Sequence, residues 1–171
     1  NDKLIKYEEI SDRIEYEIAT YLNEVSKNEL SEESMTLTKA MYKIIGELES
    51  LGDSGEAIGR ILKRRNAHGK QFDKSILDRL NKMMELVDKG YDVMIENLKS
   101  EHLHDISNAQ NCEYNINECR NHLREEHIVN IESNSYNYLT GVYYMDVLSE
   151  LEKIGDFMIN ISQAAKKKYE I

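Results

Sequence analysis

The chain has 171 residues, no proline, two phenylalanines and no tryptophan, with 32% charged residues and a formal net charge of −10. That length suits one domain with a real core. The negative charge excludes nonspecific binding to a phosphate backbone and disfavours anionic lipid, while leaving cation binding open.

Without proline nothing forces a helical ladder to break, and five long helices are predicted. The first spans about 2 to 27 and carries Leu4, Tyr7, Ile14, Ile18, Tyr21 and Val25 at steps of three, four or seven, a stripe expected to be buried. Ser31 is placed to cap the second helix, about 32 to 64, with Glu32 and Glu33 in its first turn. Lys63, Arg64 and Arg65 suit its C-terminus, and Gly69 closes it. The third, about 72 to 99, has the stripe Ile76, Leu80, Met83, Met84, Val87, Tyr91, Met94 and Leu98, with Gly90 as a weak point.

The fourth helix, about 102 to 131, runs through Leu103, Ile106, Cys112, Ile116, Cys119 and Leu123. Its two cysteines are two turns apart on one face, too far for a disulfide, and read as reduced, half-buried thiols in a reducing compartment. The fifth, about 135 to 168, ends in Lys166, Lys167 and Lys168. No segment has a strand period, so the expected fold is all-α, an antiparallel bundle. The tyrosines, Tyr136, Tyr138, Tyr143 and Tyr144 among them, are expected at half-buried edges, and Met83, Met84, Met94 and Met145 in the core.

The second and fifth helices share a phrase. "ELESLGD", residues 47 to 53, and "ELEKIGD", residues 150 to 156, agree at five of seven positions, offset by 103. This suggests two related helical hairpins with the third helix inserted between them. At about 100° per residue, Ile44, Leu48, Leu51, Ile58 and Leu62 share a buried arc, with Glu49, Asp53 and Glu56 nearly opposite. In the fifth helix Val147, Leu151, Ile154, Met158 and Ile161 take the buried arc, and Glu152 and Asp156 the acidic one. If the two helices lie side by side, Glu49, Asp53, Glu152 and Asp156 could gather and bind a hard or borderline cation on the surface; the alternative is a solvated acidic face.

Glu8 and Asp12 form a further Glu-x-x-x-Asp pair, echoed weakly by Glu113 and Asn117, and could complete a metal shell. Gly52, Gly55 and Gly59 line a seam at the edge of the buried face, matched by Gly155 and Ser162; Gly52 and Gly155 are expected to touch other helices. His68, His102, His104, His122 and His127 have no ligand spacing and read as solvated or structural. No nucleophile elbow, phosphate loop or dinucleotide fingerprint is present, so no enzyme is expected.

The two heptapeptides, followed by Ala57-Ile58 and Asn160-Ile161, resemble the PhoU family, whose repeats carry a phrase of the form Asp/Glu-Leu-Glu-Arg/Lys-Ile-Gly-Asp. The resemblance implies one PhoU-like domain over residues 1 to 171, with repeat 1 at about 1 to 100 and repeat 2 at about 101 to 171, its last helix missing. It assigns metal-ligand roles to Glu49, Asp53, Glu152 and Asp156, with Glu47 and Glu150 where the family often has a further acid, for a divalent or ferric ion. The first copy departs from the family phrase at Ser50 and Ala57.

The abrupt Asn1 start is most similar to the regulatory C-terminal domain of bacterial sodium-dependent phosphate cotransporters. That implies a membrane transport domain of the same chain as partner, a homodimer as a further association, no nucleic acid, and a place at the cytoplasmic face of the plasma membrane. The rival expectations are a free-standing PhoU-type regulator of phosphate uptake and a helical metal-dependent enzyme or metal store. The last normally needs inward Glu-x-x-His pairs, which are lacking.

Overall fold

A computed structural model describes residues 2–133 and 135–167. Lys168 therefore lies outside the described residues. Five helices follow one another: α1 (Asp2–Val25), α2 (Glu32–Ala67), α3 (Lys74–Lys99), α4 (Ser107–Glu132) and α5 (Tyr138–Lys167). No described residue is in a strand, and no described helix is long and apolar enough to cross a membrane.

Local chemistry sets the ends. The Ser31 side chain accepts from the Ser34 backbone N–H, satisfying an orphan donor at the start of α2. Gly69 ends the same helix with φ +63°, a left-handed value that costs glycine nothing. Asp73 caps α3 in the same way, accepting from Ile76 N–H at 2.8 Å. That cap starts α3 two residues later than the periodicity suggests, leaving Phe72 outside the helix but buried, with the Arg65 guanidinium 4.3 Å over its ring.

The central pair is α2 and α5, antiparallel; Ser54 donates to Glu150 at 2.9 Å and Asn160 to Glu47 at 3.0 Å. On one side α3 and α4 close over α5, all three in mutual contact. On the other, among the described residues, α1 packs against α2 alone, and the backbones of α2 and α3 do not come together. The main core is therefore the α3–α4–α5 junction, where Ile76, Met83, Ile116, Tyr144, Leu148 and Ile161 are at most 1% exposed, with the α2 stripe against its flank. The expected stripes of the fourth and fifth helices are buried, although α4 starts at Ser107, so that Leu103 and Ile106 are buried from the connection before it, and Met145, expected in the core, is half-buried.

Three expectations are corrected. On α1, Leu4, Tyr7, Ile14 and Tyr21 are exposed, because a helix with a single neighbour can bury only one narrow face. On α3, Met84 and Tyr91 are exposed, and the covered stripe is narrowed to Ile76, Leu80, Met83, Val87, Gly90, Met94 and Asn97. Tyr143 and Tyr144 are not edge residues; they are 5% and 0% exposed. The Tyr143 hydroxyl meets His68, while the Tyr144 hydroxyl is buried without a hydrogen-bond partner. Cys112 and Cys119 are buried free thiols, and burial pushes the Cys119 thiol up from its ordinary pKa.

Candidate metal centre

The acidic turn of α2 faces α1. At Gly52 the two helices pass close to each other: a Cβ added there would make an ordinary contact with Ser11 Oγ, at 3.4 Å. Close approach brings Asp53, one residue on, beside Glu8 and Asp12. One carboxylate oxygen from each of Glu8, Asp12 and Asp53 lies within 4.8 Å of the others. Asp12 and Asp53 are exposed and Glu8 is half-buried. Glu49 and Glu15 extend the cluster along the helices, and Glu56 extends it the other way.

Glu56 is paired with Arg60 at 3.1 Å, while the remaining carboxylates act on one another as like charges. Lost water contact first, and then the Asp53 charge one turn away, raise the pKa of Glu49; Asp12 and Glu15 across the groove add to this. Glu8 is raised likewise, by lost hydration first and then by Asp12, Glu56 and Asp53. These groups hold extra protons at a given pH unless another cation takes the protons' place. The donor set fits such a cation: three carboxylates from two helices, with no imidazole or thiolate, on a surface where side-chain rotation can close the oxygens to the ~2.0–2.6 Å of a hard ion.

The acidic turn of α5 has the same setting with different chemistry. A Cβ added at Gly155 would lie 3.1 Å from Ile116 Cγ2, as one at Gly52 meets Ser11. Glu152 stands where Glu49 stands, but its neighbour across the groove is the Arg120 guanidinium, 3.0 Å away, where α1 supplies Glu15. Asn117 occupies the place of Asp12 and donates to Glu113 at 2.5 Å. The second turn carries its cation covalently. Glu152 and Asp156 do not join Glu49 and Asp53; the two pairs turn to different partners, α4 and α1, and the one metal-competent acidic group among the described residues is the first.

Glu47 and Glu150 lie apart from both turns, at the α2–α5 contact. Glu47 is 8% exposed, accepts from Asn160 and pairs with Lys43. Glu150 accepts from Ser54 and pairs with Lys153 at 2.8 Å. Their hydrogen bonds join the central helices. Sequence reasoning passed over Glu15 and Arg120, although each follows the Asp12 or Asn117 position by three residues, a spacing that aligning α1 with α4 would have exposed. Of the histidines, His68 and His127 are bonded to Tyr143 and Tyr136, and none joins the acidic group. Comparison with family profiles, with curated proteins and with solved structures finds no match to this chain.

Proposed function

We propose that the chain is a non-catalytic regulatory module of PhoU type, acting in the control of sodium-coupled phosphate transport and tuned by a hard cation held between α1 and α2. One observation supports the metal half of this reading: Glu8, Asp12 and Asp53 converge from two helices, with Glu49 beside them and no positive side chain in the group. The repeated Glu-Leu-Glu and Gly-Asp phrases, set in equivalent helix contacts, support the family half. A divalent or ferric ion would be held by carboxylate oxygens of Glu8, Asp12, Asp53 and Glu49, replacing their mutual repulsion with attraction. Its role would be to fasten α1 to α2.

The test is calorimetric titration of chelator-stripped protein with Mn²⁺, Mg²⁺ and Ca²⁺, with metal analysis of the product. One ion per chain is expected, with affinity falling at least about tenfold in Asp53→Asn and in Glu8→Gln and unchanged in Asp156→Asn. Full retention of metal by Asp53→Asn refutes the assignment. The regulatory half is tested by phosphate uptake in bacterial cells making a sodium/phosphate cotransporter with and without this chain. A changed uptake rate is expected, and an identical rate refutes that half. Sustained turnover of a phosphate ester by the purified chain would refute the non-catalytic reading.

A further inference from the structure

The seam between α2 and α5 carries a groove at each end, built from equivalent positions. With the offset of 103, Ala57 falls on Asn160, Arg60 on Gln163, Ile61 on Ala164, Arg64 on Lys167 and Lys43 on Asp146. Because the helices are antiparallel, the members of each pair lie at opposite ends of the seam.

The two ends differ in charge. At the C-terminal end of α2 the groove holds about 700 Å³, and the carboxylates of Asp146 and Glu150 stand among its cations. Arg60 is paired with Glu56 at 3.1 Å and Lys153 with Glu150 at 2.8 Å, so part of that positive charge is used within the chain. At the other end the groove holds about 360 Å³ and is lined by no carboxylate. Ala40 and Ala164, 6% and 4% exposed, form its floor, and the exposed Lys39, Lys43 and Lys167 stand around it. Asn160, Gln163 and Thr36 add two amides and a hydroxyl. Acidic residues outnumber basic ones by 32 to 22 in the whole chain, so this local excess of positive charge runs against the composition.

That excess is only partly relieved. Lys39 and Lys43 are like charges one turn apart on α2. Lys43 pairs with Glu47, whose carboxylate also accepts from Asn160 at 3.0 Å. Lys39 and Lys167 have no acidic partner among the described residues.

We propose that this groove, between the start of α2 and the end of α5, binds the phosphate group of a small molecule. Every polar side chain around it can donate a hydrogen bond, which suits an anion rich in acceptor oxygens. Its cations are lysines without an arginine; ammonium point charges fit a compact phosphoryl group, whereas planar carboxylates favour the guanidinium fork. The volume falls at the lower end of small-molecule sites and leaves space beside the phosphate for an organic body against the two alanines. A phosphate here competes with Glu47 for Lys43, while Glu47 keeps Asn160. The site is separate from the acids between α1 and α2, and it rests neither on a cation held there nor on a role in transport.

The experiment titrates the purified chain, in chelator, with inorganic phosphate, glucose 6-phosphate and adenosine monophosphate, by calorimetry and by amide spectra. Saturable binding of one molecule per chain is expected, with a dissociation constant below about 1 mM for at least one probe. Shifts should centre on residues 36–43 and 160–167. Lys39→Gln with Lys167→Gln should weaken binding at least about tenfold, and Lys63→Gln with Arg64→Gln, at the other end of the seam, by less than about twofold. All four side chains are exposed, so neither exchange touches the core. An ester that binds more tightly than inorganic phosphate upholds the site and makes the ester its ligand; equal affinities uphold it with the free ion as ligand. Failure of all three probes to saturate by about 10 mM overturns the proposal. So does an equal loss in the two double variants, which would reduce the binding to general attraction by surface charge.

Discussion

The equivalence of Gly52 and Gly155 can be tested by giving each a methyl group. Alanine is about 1 kcal/mol better than glycine inside a helix, so with free space both changes would stabilise equally. Space differs between the sites. At Gly52 the new Cβ would find Ser11 Oγ at 3.4 Å, an ordinary contact with a half-buried side chain that can turn toward water. At Gly155 it would meet Ile116 Cγ2 at 3.1 Å and Cδ1 at 3.2 Å. Ile116 is 1% exposed and has Gly90 of α3 on its other flank, so it cannot swing aside. Overpacking of that kind costs about 1–3 kcal/mol. Gly52→Ala should therefore stabilise by about 0.5–1 kcal/mol, and Gly155→Ala should destabilise by about 0–2 kcal/mol after the propensity gain. For a chain of this size that is roughly 2–4 °C per kcal/mol in thermal midpoint, in opposite directions. The double variant Gly155→Ala with Ile116→Val should lose less than the sum of its parts, since the shorter side chain removes the Cδ1 contact. Urea titration followed by circular dichroism reads the parent, the two alanine variants, Ile116→Val and the double variant. Parallel shifts of the two alanine variants, or strict additivity in the double variant, would refute the account of close packing at the α4–α5 seam.

The buried Tyr144 hydroxyl has no partner, and burial pushes its pKa well above the ordinary phenol range; Tyr144→Phe should raise stability by about 1 kcal/mol, and a loss in urea titration would show that the hydroxyl is satisfied. Glu49 is raised above the usual carboxylate range, so the folded chain binds the extra proton, and the stability tied to its protonated form is complete below the unfolded value of about 4.3 and is lost as pH rises through the folded one. In chelator, Glu49→Gln should therefore be more stable than the parent at pH 7.5, with the margin shrinking toward pH 4.5; a margin independent of pH removes the repulsion argument. Replacing Asn117→Asp and Arg120→Glu together should give the α4–α5 turn the chemistry of the α1–α2 turn, with a second Mn²⁺ bound per chain in calorimetry; a single ion in this variant would mean that carboxylate placement alone does not make the site.

How much was legible follows from what periodicity encodes. On α4 and α5 the apolar stripes Cys112, Ile116, Cys119, Leu123 and Val147, Leu151, Ile154, Met158, Ile161 are all buried, because each helix has neighbours around a wide arc, an arc on α5 wide enough to bury Tyr143 and Tyr144 as well. The same kind of stripe on α1 leads to the wrong burial, since spacing reports an amphipathic helix but not how many helices surround it. Ser31 reads as a cap because polar turn residues precede it; Asp73 does not, because the apolar Phe72 in front of it reads as the first residue of the helix. At the site, the duplicated Glu and Asp and the pair on α1 are visible as spacing. Which pairs meet is not, because that depends on helix rotation: the α2–α5 contact is taken by Glu47, Ser54, Glu150 and Asn160, which turns Glu49 toward α1 and Glu152 toward α4.

That rotation explains why one duplicated phrase can serve two purposes. Each copy places a glycine where a neighbouring helix must come close, and the carboxylates on the adjacent positions then flank that neighbour. What they find there decides the outcome. On α4 it is a guanidinium only 22% exposed, so the pair is made within the chain and α4 is tied to α5 without any outside ion. On α1 it is more carboxylate, so closing α1 onto α2 concentrates negative charge that only protons or a bound cation can offset. The second half already has three helices around its core, whereas α1 is held by α2 alone. If the proposed cation binds there, the helix with a single packing neighbour is the one whose attachment would respond to ions, and α1 is where a change in cation supply would alter the structure first.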